Sequence, residues 1–453
     1  MHFTPMEKAS RQDLERYQWK KLKETLARVY QRTDFYRRRF DAAGFKPDDI
    51  RGWDDFREKV PIISKTDLLE DQQRKPPYGE RLGLERGELA HSLLTSGTSG
   101  VGQEVYAWTV ADALPMAIGW GRLIYWSGYR TGDVHLDPLP LNLTLAFPKS
   151  MIVAEHLLGM HILHFGAYPT KQKLELVRRF GPVAGFIASP AYLVHLMDTA
   201  REMGSDVREI FQGLKYITLV FQNYDPEWVD RIKEAWGGPR IAEAYGCSQF
   251  GSGVANTCGE VVKDGKRRML HFFEDLCLLE VLDKETRRPV EFGEEGEVVL
   301  TSFARDAAPV IRFAMSDRVR LMPHHDCDCG LPFNGFECGT IRRYDDMMKV
   351  KGMNIWPQAL DIEVFKHKEV IEYQGRVFVD AKGNEEIEMA LEFAAGVAAE
   401  RKSALLAELR SSLRERAGVR IELRENAEKL PRFEFKPVRW KDERKAGLQR
   451  MAF

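Results

Sequence analysis

Apolar and aromatic residues recur at three- to four-residue spacing near the start of the chain, in DLERYQWKKLKETLARVYQRTDFYRRRFDAAGF. This spacing places the apolar side chains on one helical face and predicts helices over the first 45 residues, ending at Gly44. The next segment, GFKPDDIRGWDDFREKVPIISKTDL, predicts turns and short helices, because proline, glycine and aspartate interrupt the periodicity.

Between residues 90 and 343, short apolar runs alternate with amphipathic segments. Strands are predicted for VAGFIAS, LKYITLVF and RIAEAYG, and helices for KQKLELVRRF, PAYLVHLMDTAREM and PEWVDRIKEAWG. Two later runs, VVLTSF and APVIRFAMSDRVRLM, predict further strands. Strands that alternate with helices predict an α/β fold of parallel sheets covered by helices.

Beyond Arg343 the pattern changes again. Strands are predicted near residues 374–380, 386–393 and 419–425, with a charged helix near 398–417. We therefore predict two domains, a large one over residues 1–343 and a small α+β domain over residues 344–453.

Composition narrows the functional classes. The chain has 453 residues, of which 44% are hydrophobic and 30% charged, with a formal net charge of −1. This balance gives no general affinity for nucleic acid or an anionic membrane. The first residues lack the apolar core of a signal peptide, and no run approaches the roughly 20 apolar residues of a membrane span. We expect a cytoplasmic protein without nucleic-acid or membrane partners.

The cysteines are clustered, because all six lie within residues 247–338. They are too sparse for a disulfide scaffold and indicate thiol or metal chemistry in a reducing compartment. Cys277 lies in a predicted strand and is expected in the core. Cys247 has no visible partner base, so we do not expect it to act as a nucleophile.

The stretch LTSGTSGVGQ, residues 94–103, combines three glycines with four hydroxyl residues. Glycines let backbone N–H groups converge on an anion, and hydroxyls add donors. The stretch lacks the lysine of the G-x-x-x-x-G-K-[ST] phosphate loop. Taken alone, TSGTSG fits either a phosphate-binding loop or a solvated surface loop.

Four later segments place polar residues beside predicted strands or turns: AYGCSQ, VIRFAMSDRVRL with Asp317, RRYDDMMKVKGMNIWP with Arg343, and LPRFEFKPVRW with Lys436. Ligand loops commonly follow the carboxyl ends of strands. Asp317 is suited to accept hydrogen bonds from a ribose.

In this order, and almost end to end, these segments resemble the phenylacetate–CoA ligase group of the adenylate-forming superfamily. TSGTSG resembles its [ST]SGTTG loop, and AYGCSQFGSGVANTC resembles its YGLSE-x-x-GPGVA-x-EC stretch. TSFARDAAPVIRFAMSDRVRL, RRYDDMMKVKGMNIWP and LPRFEFKPVRW resemble further motifs of the group. The resemblance implies an α/β fold, with a large N-terminal adenylate-forming domain and a small mobile C-terminal lid.

The resemblance also implies a two-step reaction. A carboxylate attacks the α-phosphate of Mg-ATP to give an acyl-adenylate and pyrophosphate, and the thiol of CoA then displaces AMP. The first step needs positioned donors and cations around the reacting phosphorus. The expected ligands are ATP, Mg²⁺, CoA and an aromatic carboxylic acid, and a homodimer is a further hypothesis.

Residues at positions that match the family motifs are expected to have the roles that those positions have in the family. Asp317 is expected to bind the ribose, Arg343 the ribose or phosphate, and Lys436 the reacting phosphate and carboxylate. Asp345 is the expected hinge about which the small domain turns and withdraws Lys436. The remaining residues expected at the nucleotide are Thr95, Ser96, Gly97, Thr98, Ser99 and Gly100 at the β- and γ-phosphates, Tyr245 and Gly246 beside the adenine, and Gln249.

Three departures from the family pattern are visible. Val101 and Gly102 stand where the family often has Lys-Pro, and Gln249 stands at the position of its Mg²⁺-binding glutamate. An amide oxygen can ligate Mg²⁺, but more weakly than a carboxylate. VFQNYDP, residues 220–226, resembles the F-GAEP segment only loosely.

Cys258, His271, Cys327 and Cys329 have the residue types and number of a structural Zn²⁺ site, and some family members carry zinc at matching positions. The alternative is a set of ordinary thiols, with Cys338 or His324 and His325 merely nearby. The aromatic residues that we assign to an acyl pocket, by resemblance and by their clustering, are Trp120, Tyr125, Trp126, Phe221, Tyr245 and Phe250.

We therefore predict an ATP- and CoA-dependent acid–thiol ligase that acts on an aromatic carboxylate. One rival is an adenylate-forming transferase with another acceptor. A second is a non-catalytic relative, favoured only by Gln249 and the altered loop end. A third, a zinc-binding nucleic-acid protein, lacks a basic face.

Overall fold

The chain is built around two large hydrophobic cores. The computed structural model describes residues 2–95, 102–142, 146–380, 383–433 and 437–445, with only the backbone of residues 146, 147, 345 and 445. The first core contains residues from Leu14 to Cys338, and the second contains residues from Val350 to Leu423. The predicted domain boundary at 343/344 falls between these cores.

Helices cover both faces of the large sheet and one face of the small one. Those in the described residues are α1 (Arg11–Arg32), α2 (Asp34–Ala42), α3 (Trp53–Lys59), α4 (Lys65–Arg74), α5 (Val110–Ser127), α6 (Ala146–Leu158), α7 (Thr170–Phe180), α8 (Pro190–Glu202), α9 (Val207–Ile210), α10 (Pro226–Ala235), α11 (Pro357–Phe365) and α12 (Ala399–Ala417). None of them combines the length and apolar character needed to cross a membrane.

The strands are short and mostly buried. In chain order they are β1 (His91–Leu94), β2 (Val105–Trp108), β3 (Val134–Asp137), β4 (His161–His164), β5 (Gly185–Ala188), β6 (Tyr216–Leu219), β7 (Arg240–Cys247), β8 (Ser252–Thr257), β9 (Val262–Lys263), β10 (Lys266–Arg267), β11 (Met269–Phe272), β12 (Cys277–Leu282), β13 (Glu295–Ser302), β14 (Phe313–Met322), β15 (Gly335–Glu337), β16 (Arg342–Arg343), β17 (Met348–Val350), β18 (Met353–Ile355), β19 (Val370–Val379), β20 (Glu385–Phe393), β21 (Glu422–Glu425) and β22 (Trp440–Asp442).

The large sheet has the order β12-β13-β14-β15-β11-β8-β7-β6-β5-β3-β4, with β16 beside β14. Strands β4, β3, β5, β6 and β7 run parallel. Pairing is antiparallel from β7 to β12. The expectation of parallel sheets was therefore wrong for the second half, because antiparallel neighbours can be joined by loops and do not need a crossover helix.

Helix α5 packs closely against β8 because a glycine faces the strand. A Cβ at Gly119 would lie 2.7 Å from the Ser252 Oγ. The helix begins with a capping box, in which Thr109 Oγ1 accepts from the Asp112 N–H and Asp112 accepts from the Thr109 N–H. The N-terminal helices meet the same domain through buried Arg312, which pairs with Glu280 at 3.0 Å and donates to the Val60 carbonyl at 2.8 Å.

The small domain is a four-stranded sheet of order β21-β20-β19-β22 packed against α12. Leu405, Leu409 and Leu413 recur every four residues along α12 and are fully buried, which places one helical face on the sheet. Arg439 is buried beside the sheet and pairs with Glu372 at 2.6 Å.

Most predicted elements are confirmed. The predicted helices from residues 171, 190 and 226 correspond to α7, α8 and α10, and Gly44 follows α2 with φ 74°, as a helix-terminating glycine does. The strand predicted from residue 308 begins only at Phe313, because Ala308 and Arg312 have φ of 48° and leave the extended conformation.

Candidate nucleotide site and cysteine cluster

The glycine-rich stretch connects the antiparallel strands β1 and β2. The base of this hairpin is closed at Thr95 and Glu104. The Thr95 N–H donates to the Glu104 carbonyl at 2.9 Å, and the Glu104 N–H donates to Thr95 Oγ1 at 2.9 Å. The structure therefore gives the loop a fixed base, whereas the predicted phosphate ligands Ser96, Gly97, Thr98, Ser99 and Gly100 lie outside the described residues.

A turn after β7 reaches the base of this hairpin. Gln249 Nε2 donates to Glu104 Oε2 at 2.8 Å, across 145 residues of sequence. The turn is supported by Arg305, which is fully buried and donates to the Phe250 carbonyl at 2.9 Å and to the Ala107 carbonyl of β2. The arginine thereby ties the turn to the hairpin, and Gln249 contacts the base of the hairpin at Glu104.

Three predicted nucleotide ligands, from strands β7, β14 and β16, contact one another. Tyr245 on β7 donates from its hydroxyl to Asp317 Oδ2 at 2.6 Å. Arg343 on β16 pairs with Asp317 on β14 in the strand register, and its Nε lies 3.3 Å from Asp317 Oδ1. Burial raises the pKa of Tyr245 well above its ordinary value, which keeps the hydroxyl protonated and able to donate.

The backbone changes register beside this tyrosine. The pairing of β7 with β8 shifts between Tyr245 and Gly246, which is a β-bulge or a related irregularity. Bulges often redirect side chains near ligand sites. The predicted adenine-side position Gly246 therefore lies at a local distortion of the strand.

A cleft lies between the two domains, next to the segment after β6. It is small, with a cavity volume of about 40 Å³, and its walls come from both domains. The lining residues are Pro190, Ala191, Val194, Gln222, Asn223, Tyr224, Asp225, Trp228, Asp361, Ile362, Phe365, Ile371, Glu372 and Arg439. This cleft contains most of the VFQNYDP segment, so the loosely matching stretch lies at a domain interface.

Lys436 lies outside the described residues, but the preceding segment is described. Arg432 pairs with Glu392 of its own domain at 2.6 Å and with Asp198 of α8 at 3.4 Å. Lys429 pairs with Glu202 of α8 at 2.6 Å. The segment before Lys436 therefore contacts the large domain. Asp345 lies in a short 3-10 helix, Tyr344–Asp346, between the two cores.

The four predicted zinc ligands come together. One ligand atom from each of Cys258, His271, Cys327 and Cys329 lies within 4.8 Å of all the others. Cys258 Sγ is 3.5 Å from Cys327 Sγ, and Cys329 Sγ is 3.4 Å from His271 Nε2. His271 Nδ1 lies 2.9 Å from the carbonyl oxygen of Phe333, which orients Nε2 toward the cluster.

The other cysteines stand apart from this cluster. Cys247, Cys277 and Cys338 are buried, and burial raises the pKa of all three thiols, that of Cys247 to about 12. A thiol with such a pKa is protonated near neutral pH and is a poor nucleophile. This agrees with the expectations for Cys247 and Cys277.

The predicted acyl-pocket aromatics fall into different surroundings. Phe250 is buried in the turn that carries Gln249, and Phe221 follows β6 with φ 71°. Trp126 instead packs edge-on against His271 at 6.3 Å, beside the cysteine cluster. Tyr125 lies against Phe3 and the Arg130 guanidinium, and Trp120 is fully buried in α5.

Glu104 and Arg305 were missed by sequence reasoning. Glu104 directly precedes β2, and a carboxylate before an apolar strand is usually solvated. The sequence feature that could have indicated Glu104 is its position directly after the glycine-rich stretch.

The chain is similar in sequence to curated phenylacetate–CoA ligases. The ligase of Aromatoleum evansii is 28% identical over 431 residues, covering 92% of this chain and 90% of that protein. The ligase of Pseudomonas putida is 29% identical over 374 residues, covering 81% and 79%. No family model matches the chain. The resemblance inferred from the motifs is confirmed.

The fold is similar to that of a solved 2-hydroxyisobutyryl-CoA ligase. In its postadenylation state with an acyl-AMP, that structure has a TM-score of 0.86 at 22% identity, covering 98% of this chain and 93% of that chain. In its thioesterification state, with 2-HIB-AMP and CoA, the TM-score is 0.70 at 24% identity with the same coverage. The predicted α/β fold is confirmed.

Proposed function

We propose that this chain, a relative of the phenylacetate–CoA ligases with the fold of acyl-CoA ligases, is an ATP-dependent carboxylate–CoA ligase. It forms an acyl-adenylate and pyrophosphate from a carboxylate and ATP, and it then transfers the acyl group to the thiol of CoA. The observation that carries this proposal is the Tyr245–Asp317–Arg343 contact beside the hairpin that bears TSGTSG. These groups come from distant parts of the sequence and match the family motifs.

Asp317 is proposed to bind the ribose hydroxyls. A carboxylate offers about four acceptor sites, and Tyr245 and Arg343 use only part of them. The two partners also hold the carboxylate in one orientation, which lowers the entropy cost of binding a sugar. Arg343 carries the charge that can interact with the ribose or the α-phosphate.

The glycine-rich loop is proposed to hold the β- and γ-phosphates. Its base at Thr95 and Glu104 is fixed by one backbone–backbone hydrogen bond and by one from the Glu104 N–H to Thr95 Oγ1, so the loop starts from a defined position. Lys436 is proposed to neutralise charge on the reacting phosphate and carboxylate. An ATP-bound Mg²⁺ supplies further charge neutralisation, and Gln249 lies where an amide oxygen can face it.

The small domain is proposed to rotate about Asp345 between the two half-reactions. The two cores are separate, and the described contacts across the boundary are largely polar. They include the exposed Lys429–Glu202 pair and the Arg231 hydrogen bond to the Phe365 carbonyl. Exposed ion pairs contribute little stability, so such an interface can open and re-form.

The acid substrate is proposed to be an aromatic carboxylate. The curated relatives are named for phenylacetate, and Phe221, Tyr245 and Phe250 are proposed to line the acyl pocket. Trp120, Tyr125 and Trp126 remain predictions for the pocket. We also retain a homodimer and a cytoplasmic location as predictions, and light scattering of the purified protein measures the first of these.

Cys258, His271, Cys327 and Cys329 are proposed to hold a structural Zn²⁺. Three thiols and one imidazole form a complete tetrahedral ligand set without an open position, which is typical of a structural site. The donors fit the ion, because the imidazole is oriented by the Phe333 carbonyl and Arg268 lies 3.4 Å from Cys327 Sγ, where it can offset thiolate charge.

Pyrophosphate exchange with a panel of aromatic acids tests the function. We expect acid-dependent exchange in the presence of Mg-ATP, and a thioester when CoA is added. Exchange without a thioester would instead indicate a transferase with another acceptor. ATP binding without exchange for any acid would indicate a non-catalytic relative.

A further inference from the structure

A group of arginines lies at the domain boundary, where β16 pairs with β14. In the strand register, Asp317 of β14 is opposite Arg343 of β16. The next pair in the same ladder is Arg318 opposite Arg342. Successive residues of a strand point to opposite faces of a sheet. The pair Arg318 and Arg342 therefore lies on the other face from the residues proposed to bind the nucleotide, and the proposed reaction does not use it.

Two arginines directly opposite each other on antiparallel strands repel. Residues in such positions have Cβ atoms about 5 Å apart, and like charges there destabilise a sheet. Arg320 lies two residues beyond Arg318 on β14, so it extends along the same face. Arg416 of α12 lies near Arg342 and adds a positive charge from the small domain. We call these four residues, Arg318, Arg320, Arg342 and Arg416, the arginine face.

The carboxylates around the arginine face do not balance its charge. Three carboxylates lie at this face, and each of them pairs with two cations. They are Glu295 (with Arg318 and Arg320), Glu297 (with Lys284 and Arg287) and Glu363 (with Arg416 and Lys366). Positive charges therefore outnumber negative charges at these contacts.

Arg342 is the member of the arginine face without a counterion in contact. Among the residues that the structure describes, none forms a hydrogen bond or an ion pair with its guanidinium group. The residue is half-buried, and burial together with the surrounding arginines lowers its pKa, against the opposite effect of nearby Glu295. A half-buried cation among like charges is a favourable position for an anion.

The chemistry of this face indicates a phosphate group. Guanidinium groups bind phosphate oxygens through two parallel hydrogen bonds, which makes arginine well suited to phosphate recognition. A phosphate dianion offsets two guanidinium charges, whereas a carboxylate offsets one. A phosphate between Arg318 and Arg342 would therefore replace the repulsion of that pair by attraction to a common anion.

We propose that the arginine face binds a phosphate group and thereby links the two domains. Arg318, Arg320 and Arg342 belong to the large domain and Arg416 belongs to the small one. The phosphate stabilises the present arrangement of the domains, because their separation would remove Arg416 from the site. It is either inorganic phosphate or the 3′-phosphate of CoA. The first of these requires neither ATP nor the proposed ligase reaction.

A purely structural role for Arg342 makes a different prediction. If Arg342 only packs at the sheet edge, Arg342→Gln should lower the unfolding temperature, and phosphate should stabilise the variant and the wild type equally. If Arg342 holds phosphate, the variant should lose the stabilisation by phosphate. Without phosphate and at low salt, its unfolding temperature should be unchanged or higher, because like charges have been separated.

The experiment measures the affinity for inorganic phosphate by calorimetry in a low-salt buffer. Arg342→Gln should weaken binding about tenfold or more, because a hydrogen bond to a charged group contributes on that scale. Arg178→Gln, an exposed change on α7, removes the same charge elsewhere and should leave the affinity unchanged. Any phosphate bound at the glycine-rich loop is common to these proteins. Unchanged affinity in folded Arg342→Gln, or no binding by the wild-type chain at millimolar phosphate, would overturn the inference.

A second variant keeps the proposal testable if Arg342→Gln fails to fold. Arg416 is exposed on α12, so Arg416→Gln should leave the fold intact. It should weaken phosphate binding about threefold or more, because an attractive charge from the small domain is lost. Wild-type phosphate affinity in Arg416→Gln would overturn the proposed link between the domains.

A comparison of CoA with 3′-dephospho-CoA identifies the source of the phosphate. If the site holds the 3′-phosphate of CoA, the wild type should bind CoA about tenfold more tightly than dephospho-CoA, and Arg342→Gln should abolish this preference. Equal affinities for the two, with phosphate binding lost in Arg342→Gln, would support inorganic phosphate as the ligand. Failure of pyrophosphate exchange would refute the ligase proposal but would leave the binding of inorganic phosphate unaffected.

Discussion

The proposed nucleotide site and the cysteine cluster lie in one chain but are assembled differently. The four cluster residues come from strands or connections of the antiparallel half of the large sheet, and all belong to the first domain. The nucleotide site also uses that sheet, through Tyr245 and Asp317, but its expected cation Lys436 belongs to the second domain. The cluster is therefore suited to rigid support, whereas the proposed nucleotide site would come apart under the proposed rotation of the small domain.

The largest effect is expected at the part of the nucleotide site that belongs to the mobile domain. Lys436→Ala should lower the rate of adenylation about 10²- to 10³-fold, because a positioned charge is lost in the transition state. Thioester formation from supplied acyl-adenylate should change much less. Lys441→Ala removes an exposed lysine of the same domain and serves as the control. Equal losses in both half-reactions would contradict the role of Lys436.

A smaller loss, in ATP affinity, is expected for the residues of the proposed nucleotide site that lie on the large sheet. Asp317→Asn should weaken ATP binding about 10- to 100-fold, because charge-assisted hydrogen bonds are lost and Arg343 loses its partner. Tyr245→Phe removes only the hydroxyl that orients the carboxylate and should cost less. Calorimetry measures the affinities, and circular dichroism establishes that the variants are folded. Wild-type ATP affinity in Asp317→Asn would remove Asp317 from the site.

A substitution in the cysteine cluster should change the metal content of the protein more than its activity. Cys327→Ser should lower bound zinc from about one ion per chain to a small fraction of that, and it should lower the unfolding temperature. His325→Ala changes an exposed histidine of the same loop and should leave the zinc content unchanged. Plasma emission spectrometry of the purified proteins reports the metal, and undiminished zinc in Cys327→Ser would show that the ligand set is wrong.

The smallest effect is expected for the thiol nearest the nucleotide site. Burial raises the pKa of Cys247 from 9.0 to about 12, so the folded state favours the protonated thiol. This preference contributes stability below pH 9 and is lost as the pH rises toward 12. Cys247→Ser should leave both half-reactions within about twofold at neutral pH. A loss above a hundredfold in one half-reaction would indicate covalent catalysis.

The sequence predicted the elements better than their assembly. Helices α7, α8 and α10 follow from local periodicity, since each has an apolar face over several turns. The antiparallel half of the sheet does not follow from local pattern, because strand order depends on pairing between distant segments. The left-handed residues Ala308 and Arg312 likewise shorten β14, and Pro309 between them is the local sequence signal that the predicted strand overlooked.

In the candidate site, too, some residues could be predicted from the sequence, and others are recognised only in the folded chain. Asp317, Arg343 and the four cluster residues could be named from motif positions, and the structure brings each group together. Glu104 could not, because its importance arises only from a hydrogen bond with a turn 145 residues away. Its burial is likewise a property of the folded chain and leaves no mark on the local sequence.

The central claim is that the acid is activated as an acyl-adenylate before CoA attacks it. The most direct measurement uses an aromatic acid labelled with ¹⁸O in both carboxylate oxygens, together with Mg-ATP and CoA, and mass spectrometry of the products. Attack on the α-phosphate, followed by thiol attack at the carbonyl carbon, leaves one labelled oxygen in AMP and none in pyrophosphate. Thioester formation with unlabelled AMP, or with label in orthophosphate and release of ADP, would contradict the account.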